Sequence, residues 1–382
     1  MTTRRIVVIG GGPIGLACAA MLAARQIACE VLDARPLEQA RRDARLLALS
    51  RGTWQLLSPV LGADLPPRAP IREVWVSSSG DFGATRISAD DFDGADLGAT
   101  VRYGDLLGAL AARVTALPGV AVRRPVTAAD VRQRHDHVEV VLDEGSVLAA
   151  DLAIQAEGLP GGKPVGEDWA LLADVTLRLA RGDLPSGTAF ERFTRDGPLA
   201  LLPAPGAAFA GTRRDFALVW CMGAAEARRR GELAEATLLG ELQRQLGPRI
   251  GEAVTIGPHR AVALPRQLRE QVHQHRTVAL GNAAQTLHPV AGQGFNLGVR
   301  DCATLADELA QGGPAPEALA RYAGRRRADR RTIALVTQAL PALFASGFAP
   351  LALARGLGLA LLDTTPALRR ELAQLLMFGV RT

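Results

Sequence analysis

The feature that most constrains the fold is a glycine-rich turn near the N-terminus, set between two apolar runs. The first run, Ile6-Val-Val-Ile9, is β-branched and typical of a strand buried on both faces. A G-x-G-x-x-G turn follows, with its glycines at Gly10, Gly12 and Gly15. A helical stretch rich in alanine and leucine comes next, and then a second strand over 28–32 that ends at Asp33. This order of strand, turn, helix, strand and acid predicts a dinucleotide-binding βαβ unit.

Each part of this unit has a physical role in holding a dinucleotide. Gly10 permits the tight turn, Gly12 lets a pyrophosphate approach the backbone, and Gly15 lets the helix pack closely on the strand. The free N–H groups of the helix N-terminus attract phosphate, and Asp33 is placed to accept hydrogen bonds from a ribose. The motif does not by itself separate NAD from FAD. The candidate ligands here are Gly10, Gly12, Pro13, Ile14, Gly15, Asp33, Ala34 and Arg35.

Composition excludes several other classes of protein. The 382 residues include 44 Lys and Arg against 39 Asp and Glu, with the basic residues dispersed, and only 4% are aromatic, so a nucleic-acid-binding role is not expected. The four cysteines have no CxxC spacing, which disfavours a metal site and a disulfide framework and fits a reducing compartment. Since the N-terminus does not read as a signal peptide, we expect a cytoplasmic protein.

Two further segments resemble the flavin-dependent aromatic hydroxylases of ubiquinone biosynthesis. Residues 43–50, with the sequence Asp-Ala-Arg-Leu-Leu-Ala-Leu-Ser, resemble the segment after the second strand in that family. The block over 281–298, containing His288-Pro-Val-Ala-Gly-Gln-Gly-Phe-Asn296, is similar to the family's second flavin motif, which reaches the ribityl chain and the isoalloxazine ring. The resemblance runs from about residue 4 to the C-terminus and implies FAD as the cofactor. It implies these further ligands: Arg45, Asn282, Pro289, Gly292, Gln293, Gly294, Phe295 and Asn296.

The residues of the second block support this interpretation independently. Residues 278–280 form a short apolar run typical of a buried strand, and the loop after it has glycines that let a planar ligand approach the backbone. A helix predicted over 294–309 then directs its N-terminus at the loop. Arg45 and His288 each allow two interpretations. Arg45 lies either over the flavin or in a solvated arginine cluster, and His288 either shapes the loop with Pro289 or is a weak candidate for a catalytic role.

One family motif is altered here. Relatives carry a strand that ends in Asp-Gly and is followed by Ser and Arg, whereas this chain has Glu157-Gly158 and then a loop without them. Either Glu157 keeps the role of the aspartate in a rebuilt loop, or reduction by NAD(P)H is impaired or takes another route. The absence of a second G-x-G-x-x-G after a strand fits hydroxylases in which NAD(P)H reaches the flavin from the surface.

The expected architecture is α/β: a Rossmann-like FAD-binding domain of the glutathione reductase type, an inserted antiparallel β-sheet substrate domain, and a C-terminal helical tail. The FAD-binding domain is predicted to be discontinuous, over 1–70, 100–160 and 270–315, with the substrate domain over 71–99 and 170–265 and the tail over 316–382. The tail has no charged side chain over 332–354 but is interrupted by Pro341 and Pro350. We therefore expect apolar helices, packed on the body or touching the inner face of the cytoplasmic membrane, rather than a membrane span.

The resemblance implies an FAD-dependent monooxygenase that hydroxylates the aromatic ring of a polyprenylated phenol in ubiquinone biosynthesis. In that family NAD(P)H is the reductant and O2 is delivered through a flavin hydroperoxide. Two alternatives stay open: a hydroxylase of another aromatic substrate, and a flavin-binding member of a biosynthetic complex without turnover of its own. A homo-oligomer is a further expectation. No residue is assigned as the base for the substrate phenol.

Overall fold

The protein is described from a computed structural model that covers residues 5–79, 83–158, 168–182, 184–206, 212–345 and 349–380. Ten helices lie in these ranges: α1 Pro13–Ala23, α2 Leu37–Arg41, α3 Arg51–Leu61, α4 Tyr103–Thr115, α5 Ala224–Gly231, α6 Glu235–Leu246, α7 Gln293–Gly312, α8 Pro316–Ala345, α9 Ala349–Thr364 and α10 Pro366–Phe378.

The same ranges contain 21 strands. The first twelve are β1 Ile6–Ile9, β2 Cys29–Leu32, β3 Leu46–Ser50, β4 Arg68–Ile71, β5 Glu73–Ser78, β6 Ala84–Ser88, β7 Gly98–Arg102, β8 Val120–Arg123, β9 Ala128–Gln133, β10 Val138–Leu142, β11 Val147–Ala150 and β12 Leu152–Gln155. The remaining strands are β13 Asp168–Leu179, β14 Thr188–Phe193, β15 Pro198–Pro203, β16 Arg213–Gly223, β17 Gly251–Leu264, β18 Gln267–Leu268, β19 His273–Gln274, β20 Thr277–Ala279 and β21 Gln285–Thr286.

A six-stranded sheet forms the centre of the first layer, in the order β19-β20-β12-β1-β2-β8. All its pairs are parallel except β19 with β20. All four residues of β1 are buried, because α1, α4 and α7 pack on one face of the sheet and the three-stranded β9-β10-β11 sheet covers the other. Strand order changes direction on either side of β1, and such a switch point opens a ligand crevice at the carboxyl ends of the strands.

A seven-stranded sheet forms the second layer, in the order β17-β13-β16-β15-β14-β5-β6. The expected antiparallel sheet is confirmed with one correction: β14 and β5 pair in parallel, Glu191 lying opposite Val76. A parallel neighbour arises here because β5 comes from the separate stretch between β4 and β6 and enters at the edge of the sheet. Two consecutive helices, α5 and α6, cover one face of this sheet with their apolar side chains.

The strands between residues 68 and 102 belong to two different sheets. β5 and β6 extend the seven-stranded sheet, whereas β4 and β7 join β3 in a small antiparallel sheet of three strands. The Thr100 hydroxyl on β7 donates a hydrogen bond to the Pro203 carbonyl at the end of β15. This contact ties the small sheet to the large one. The fold class is confirmed, and the domain boundaries stay a prediction.

The C-terminal region consists of three helices, of which α8 contains Pro341 without a break. Phe344 of α8 stacks on Phe193 of β14 with ring centroids 3.8 Å apart, and Ala373 and Met377 of α10 pack in an apolar cluster with Ala189. These helices therefore lie on the face of the large sheet opposite α5 and α6. In the ranges that the structure describes, no helix has the length and apolar character that crossing a bilayer requires.

Candidate FAD site

The predicted dinucleotide turn lies at the carboxyl edge of the parallel sheet. Gly10, Asp33 and Gly281 each follow a strand of this sheet, and Glu157 lies two residues beyond β12. Because the strands are parallel, residues far apart in the chain meet at this one edge. The two segments predicted to bind the cofactor are thereby brought to the same crevice.

Gly10 and Gly15 are required by close backbone contacts. Gly10 has a φ of +103°, and a Cβ at this position would collide with the backbone of Glu157. A Cβ at Gly15 would collide with the Gly10 carbonyl, so α1 can pack on the strand only with glycine there. Gly12 differs, since a Cβ there would meet only the Tyr103 hydroxyl, at 3.2 Å. The space beside Gly12 is therefore free for a phosphate.

Ile14 joins the two motifs. Its side chain lies 3.1 Å from the Cβ position of Gly281 and 2.8 Å from that of Gly298 on α7. Gly281 also has a φ of +54°, which disfavours other residues. Asn282, the next residue, is exposed in a short 3₁₀ turn. The N-termini of α1 and α7 consequently face the crevice from adjacent positions.

Asp33 is buried, with 7% of its surface exposed, and already has protein partners. Its Oδ2 accepts a hydrogen bond from the Gly11 N–H at 2.7 Å, and its Oδ1 accepts one from the Arg35 N–H at 2.8 Å. Each carboxylate oxygen has a second lone pair free for a ribose hydroxyl. Ala34 and Arg35 are exposed at the same edge. The ribose role of Asp33 stays a prediction that this geometry permits.

Arg124 is a residue of this site that the motif did not identify. It follows β8, donates a hydrogen bond to the Gly11 carbonyl, and places Nη1 3.8 Å from Asp33 Oδ1. That Nη1 is buried and makes no hydrogen bond with the residues that the structure describes. Burial and the nearby Arg35 charge lower the pKa of Arg124. The fixed cation beside the phosphate turn adds to the positive end of the α1 dipole.

Tyr103 and Arg45 lie together on the phosphate side. The Tyr103 N–H donates to the Arg45 carbonyl at 2.8 Å, and the Arg45 guanidinium lies 5.0 Å from the centre of the Tyr103 ring. Arg45 also forms an ion pair with Asp43 at 2.6 Å, which raises its pKa against the opposing effect of burial. Arg45 is thus oriented by two partners although its side chain is 49% exposed, and both interpretations of this residue stay open.

The loop from 288 to 296 has the backbone shape of a ligand cradle. Ala291 and Gly292 both adopt left-handed conformations, with φ of 57° and 60°, immediately before α7. The Cβ position of Gly292 lies 2.9 Å from the Ala48 side chain, which excludes a larger residue. Gly294 and Phe295 follow in the first turn of α7, and a Cβ at Gly294 would meet nothing within 4 Å. The first N–H groups of α7 also have no partner within the helix, so they can donate to a ligand.

Three polar side chains hold this loop in shape. Asn296 accepts a hydrogen bond from the Ser50 N–H at 2.9 Å and donates to the Ala48 and Gly292 carbonyls. Gln293 donates to the Ala291 and Leu376 carbonyls, and His288 Nδ1 accepts from the Val290 N–H at 3.3 Å. Burial lowers the pKa of His288 to about 4, so it is neutral at pH 7. The geometry favours loop shaping over proton transfer for His288.

Glu157, the altered position of the third motif, lies beside Gly10 at the same edge. Burial and the charge of Asp33 raise its pKa. Its Cα lies 2.7 Å from the Cβ position of Gly10, which places Glu157 at the dinucleotide side of the sheet. The loop that follows, including Lys163, falls within 159–167 and lies outside the described residues, so the two interpretations of this motif stay open.

The described residues fit an FAD molecule at both of its ends. At the dinucleotide end they provide the open space beside Gly12 and the Nη1 of Arg124, which makes no hydrogen bond with the described residues. At the other end they provide the open first turn of α7 and the buried Oε1 of Gln293, which has no hydrogen bond within the described part of the chain. An extended ligand with a pyrophosphate and a planar ring matches this set of groups.

Comparison with known proteins agrees with this geometry. The model of an FAD binding domain family matches residues 163–337. The chain is 29% identical to ubiquinone hydroxylase UbiL of Rhodospirillum rubrum, in an alignment that covers 96% of this chain and 87% of that protein. It is also 29% identical to the 3-demethoxyubiquinol 3-hydroxylase of Escherichia coli, over 96% of both chains. The chain is thus similar, over nearly its whole length, to FAD-dependent hydroxylases of ubiquinone biosynthesis.

The fold of the chain has a match along nearly its whole length among solved structures. The p-nitrophenol 4-monooxygenase PnpA of Pseudomonas putida superposes with a TM-score of 0.78, covering 99% of this chain and 100% of that one at 14% identity. A likeness at this identity concerns the fold alone. The predicted fold class, the FAD cofactor and the assignment as an FAD-dependent aromatic monooxygenase are confirmed by these matches together.

Proposed function

We propose that this hydroxylase adds a hydroxyl group to the aromatic ring of a polyprenylated phenol in ubiquinone biosynthesis, with O2 and NAD(P)H as co-substrates. The observation that carries the proposal is the likeness, over 96% of the chain, to relatives named as ubiquinone hydroxylases. The apolar residues around the flavin loop add support. Ala48, Met377 and Phe378 pack together beside that loop and would suit a hydrophobic substrate.

We propose that the predicted ligands divide between the two ends of FAD. The α1 N-terminus, Gly12 and Arg124 would hold the pyrophosphate, with Asp33 at the ribose. The loop from Pro289 to Asn296 would hold the ring, and the positive end of α7 would stabilise negative charge on it. Bound FAD supplies the redox chemistry that activates O2, and the protein supplies position and a dry environment.

We propose NAD(P)H as the reductant that reaches the flavin from the surface. The family resemblance supports this, and Glu157 beside Gly10 would keep an acid where relatives carry aspartate. In this scheme Asp33 and Glu157 place two carboxylates at the same edge of the parallel sheet, and the Arg124 guanidinium offsets part of their negative charge. Rapid loss of flavin absorbance on addition of NADH or NADPH to the loaded protein would identify the reductant and would count against a non-catalytic flavoprotein.

The experiment that tests the proposal is a quinone-lipid profile of a strain that lacks this protein. We expect a polyprenyl phenol short of one hydroxyl to accumulate, and wild type to restore the quinone pool. A Gly12→Asp variant is expected to restore none of it, because the aspartate blocks the phosphate site. Gly240→Asp is the matched control, since Gly240 is exposed on α6 and a Cβ there meets nothing within 4 Å.

An unchanged quinone pool in a strain without a redundant hydroxylase would contradict the ubiquinone assignment and favour another aromatic substrate. Full rescue by Gly12→Asp would instead point to a role of the protein that needs no bound FAD. The expected pattern is that wild type and Gly240→Asp restore the quinone pool and that Gly12→Asp does not.

We also propose that the C-terminal helices contact the surface of the cytoplasmic membrane. Large apolar side chains are exposed on these helices: Leu335 at 67%, Leu357 at 56% and Leu361 at 56%. Leu357 and Leu361 share one face of α9, and the exposed Arg331 lies one turn before Leu335 on α8. Exposed leucines beside an arginine suit the interface of a bilayer with anionic headgroups.

We expect the protein to float with vesicles of phosphatidylglycerol and phosphatidylethanolamine in a density gradient. A Leu357→Asp, Leu361→Asp double variant should lose most of this binding, about a hundredfold or more, because burying two leucines contributes about 3 kcal/mol or more. Leu65→Asp, at a side chain 45% exposed between α3 and β4, is the control that should float normally. Equal flotation of both variants would contradict the membrane contact, and dimerisation lost only in the double variant would assign the patch to a protein partner.

A further inference from the structure

The seven-stranded sheet has one face directed toward the flavin loop. Its other face is covered by α5 and α6, whose Leu238 and Leu242 pack with Phe190 of β14. On the flavin side, Ala189 of β14 packs in one cluster with Ala48 and Met377. Ala48 is the residue that lies against Gly292 of the flavin loop. A ring bound between this sheet face and the flavin loop would therefore lie over β14.

Glu191 lies on this face of the sheet. Successive residues of a strand point to opposite faces, so Glu191 shares the side of Ala189 and Phe193, about 6.6 Å from the former along the strand. Phe193 is covered by Phe344 of α8, and Ala189 is covered by α10. Glu191 thus lies between two residues of β14 that are both covered by C-terminal helices. Its neighbours across the sheet are Val76 and Ala200.

The carboxyl group of Glu191 has no protein partner. It makes no hydrogen bond or ion pair with the residues that the structure describes, and the residue is half-buried. Burial raises the pKa of Glu191 to about 8. Cys221, on β16 and the same face, is buried as well, and the Glu191 charge helps to raise its pKa further. A carboxyl group in such surroundings is available to a ligand.

The lack of a partner for the Glu191 carboxyl group is unusual, as a comparison with Glu73 of the same sheet shows. Glu73 begins β5, and its side chain is 6% exposed. Its Oε2 accepts from the Trp75 indole N–H at 3.0 Å, and its Oε1 pairs with Arg86 at 3.3 Å. A buried carboxyl group normally has partners of this kind because desolvation without them is costly. Glu191 lacks them, and the stability of the sheet gives no reason to keep it.

We propose that Glu191 is the residue that binds the hydroxyl group of the phenolic substrate and exchanges a proton with it. The inference rests on the proposed function for the nature of the substrate, and on the position of Glu191 for the residue. In the exchange, the phenol O–H bond breaks, its electron pair stays on the phenol oxygen, and the proton passes to an Oε atom of Glu191. The ring becomes more electron-rich and so a better acceptor of an electrophilic oxygen.

The environment of Glu191 suits this exchange. A phenol has a pKa of about 10, and an ordinary glutamate one of about 4.3, so proton transfer between them is strongly uphill. A glutamate with a pKa of about 8 is far closer to the phenol, which is the match that general acid–base catalysis needs. At pH 7 the group is mostly protonated and donates a hydrogen bond to the phenol oxygen. As the pH rises through 8 it becomes the base.

The test is run at pH 9, where Glu191 is ionised and can only accept a hydrogen bond. It compares how the FAD-loaded protein binds 4-pentylphenol and its methyl ether, followed by the change in flavin absorbance. We expect the wild type to prefer the phenol about tenfold, because the ether leaves no proton to share. Glu191→Leu should remove this preference by weakening phenol binding about tenfold, with the affinity for the ether unchanged. Glu191→Gln keeps shape and hydrogen bonding, so it should retain part of the preference but lose turnover by about 100-fold.

Glu73→Gln is the matched control on the opposite face of the same sheet. It should lower the unfolding temperature and leave the phenol preference intact. Glu191→Leu, which removes an unpaired buried acid, should keep its FAD and its unfolding temperature, and Glu191→Gln serves if it does not. Loss of affinity for both ligands alike in Glu191→Gln, or no loss for either in both variants, would overturn the assignment of Glu191.

The two proposals can fail separately. If the quinone pool of the deletion strain is unchanged but the Glu191 variants lose the phenol preference, the ubiquinone assignment fails and the assignment of Glu191 is upheld. If the quinone pool falls and the Glu191 variants behave as wild type, the reaction stands and the assignment of Glu191 fails.

Discussion

Replacing Gly12 with aspartate is expected to abolish FAD binding while leaving the apo fold intact. The backbone at Gly12 has an ordinary φ of −71°, and its Cβ position meets only the Tyr103 hydroxyl at 3.2 Å, so the side chain fits in the absence of a ligand. A carboxylate about 4 Å from a phosphate costs about 4 kcal/mol at an effective dielectric constant of about 20. This corresponds to about a thousandfold loss of affinity. The measurement is the FAD content of the purified protein and its titration by flavin fluorescence.

Two companion variants separate binding from folding. Gly240→Asp adds the same charge on α6, far from the site, and should leave FAD affinity at the wild-type level. Gly15→Ala adds only a methyl group, but that group collides with the Gly10 carbonyl, so little folded protein is expected. Full FAD content in Gly12→Asp with a normal circular dichroism spectrum would show that the pyrophosphate does not lie beside Gly12.

The N-terminal turn could be predicted from the sequence because its requirements are local. Gly10 and Gly15 are glycines for reasons that depend on contacts within the first strand, turn and helix and on a backbone nearby. The geometry of Gly10, with a φ of +103°, agrees with the predicted tight turn. The second flavin block was predictable for a related reason: Ala291, Gly292 and α7 are contiguous in the chain.

Arg124 and Tyr103 could not be predicted in the same way. They reach the phosphate turn from the end of β8 and the start of α4, about a hundred residues further along the chain, and only the pairing of β8 with β2 brings Arg124 beside Asp33. No spacing rule links these positions. The burial of the Arg124 side chain, whose Nη1 makes no hydrogen bond within the described part of the chain, is visible only once the sheet has been assembled.

The substrate side was still harder to predict. Strand alternation gives β14 two faces, but the sequence does not say which face the C-terminal helices cover. That follows from Phe344 on Phe193 and from Ala373 near Ala189, contacts between segments more than 150 residues apart. From the sequence alone, Glu191 would therefore be predicted to be an ordinary exposed residue of an amphipathic strand.

The helical tail depends on a buried ionic network for its position, and Asp329 is the centre of that network. Its side chain is 1% exposed, and its Oδ2 accepts hydrogen bonds from Arg300 of α7 at 2.9 Å and from Arg326 at 2.6 Å. Its Oδ1 accepts one from the Val380 N–H at 3.0 Å, which fixes the chain just after α10. Two helices and the C-terminal segment thus share one carboxylate.

Asp329→Ala is expected to destabilise the protein by about 3–5 kcal/mol, because it leaves the guanidinium groups of Arg300 and Arg326 buried without their shared partner. Urea unfolding followed by circular dichroism measures the loss. Asp307→Ala is the control, since its ion pair with Arg25 is partly exposed and should contribute about 1 kcal/mol or less.

The two arginines and the Val380 N–H lower the pKa of Asp329 below its unfolded value of 3.8, although burial opposes them. The stabilisation is therefore complete above about pH 4 and is lost as the pH falls through the lower folded-state pKa. In Asp329→Ala this part of the acid sensitivity should disappear, and equal stability of the two variants at pH 7 would show that the network does not hold the tail.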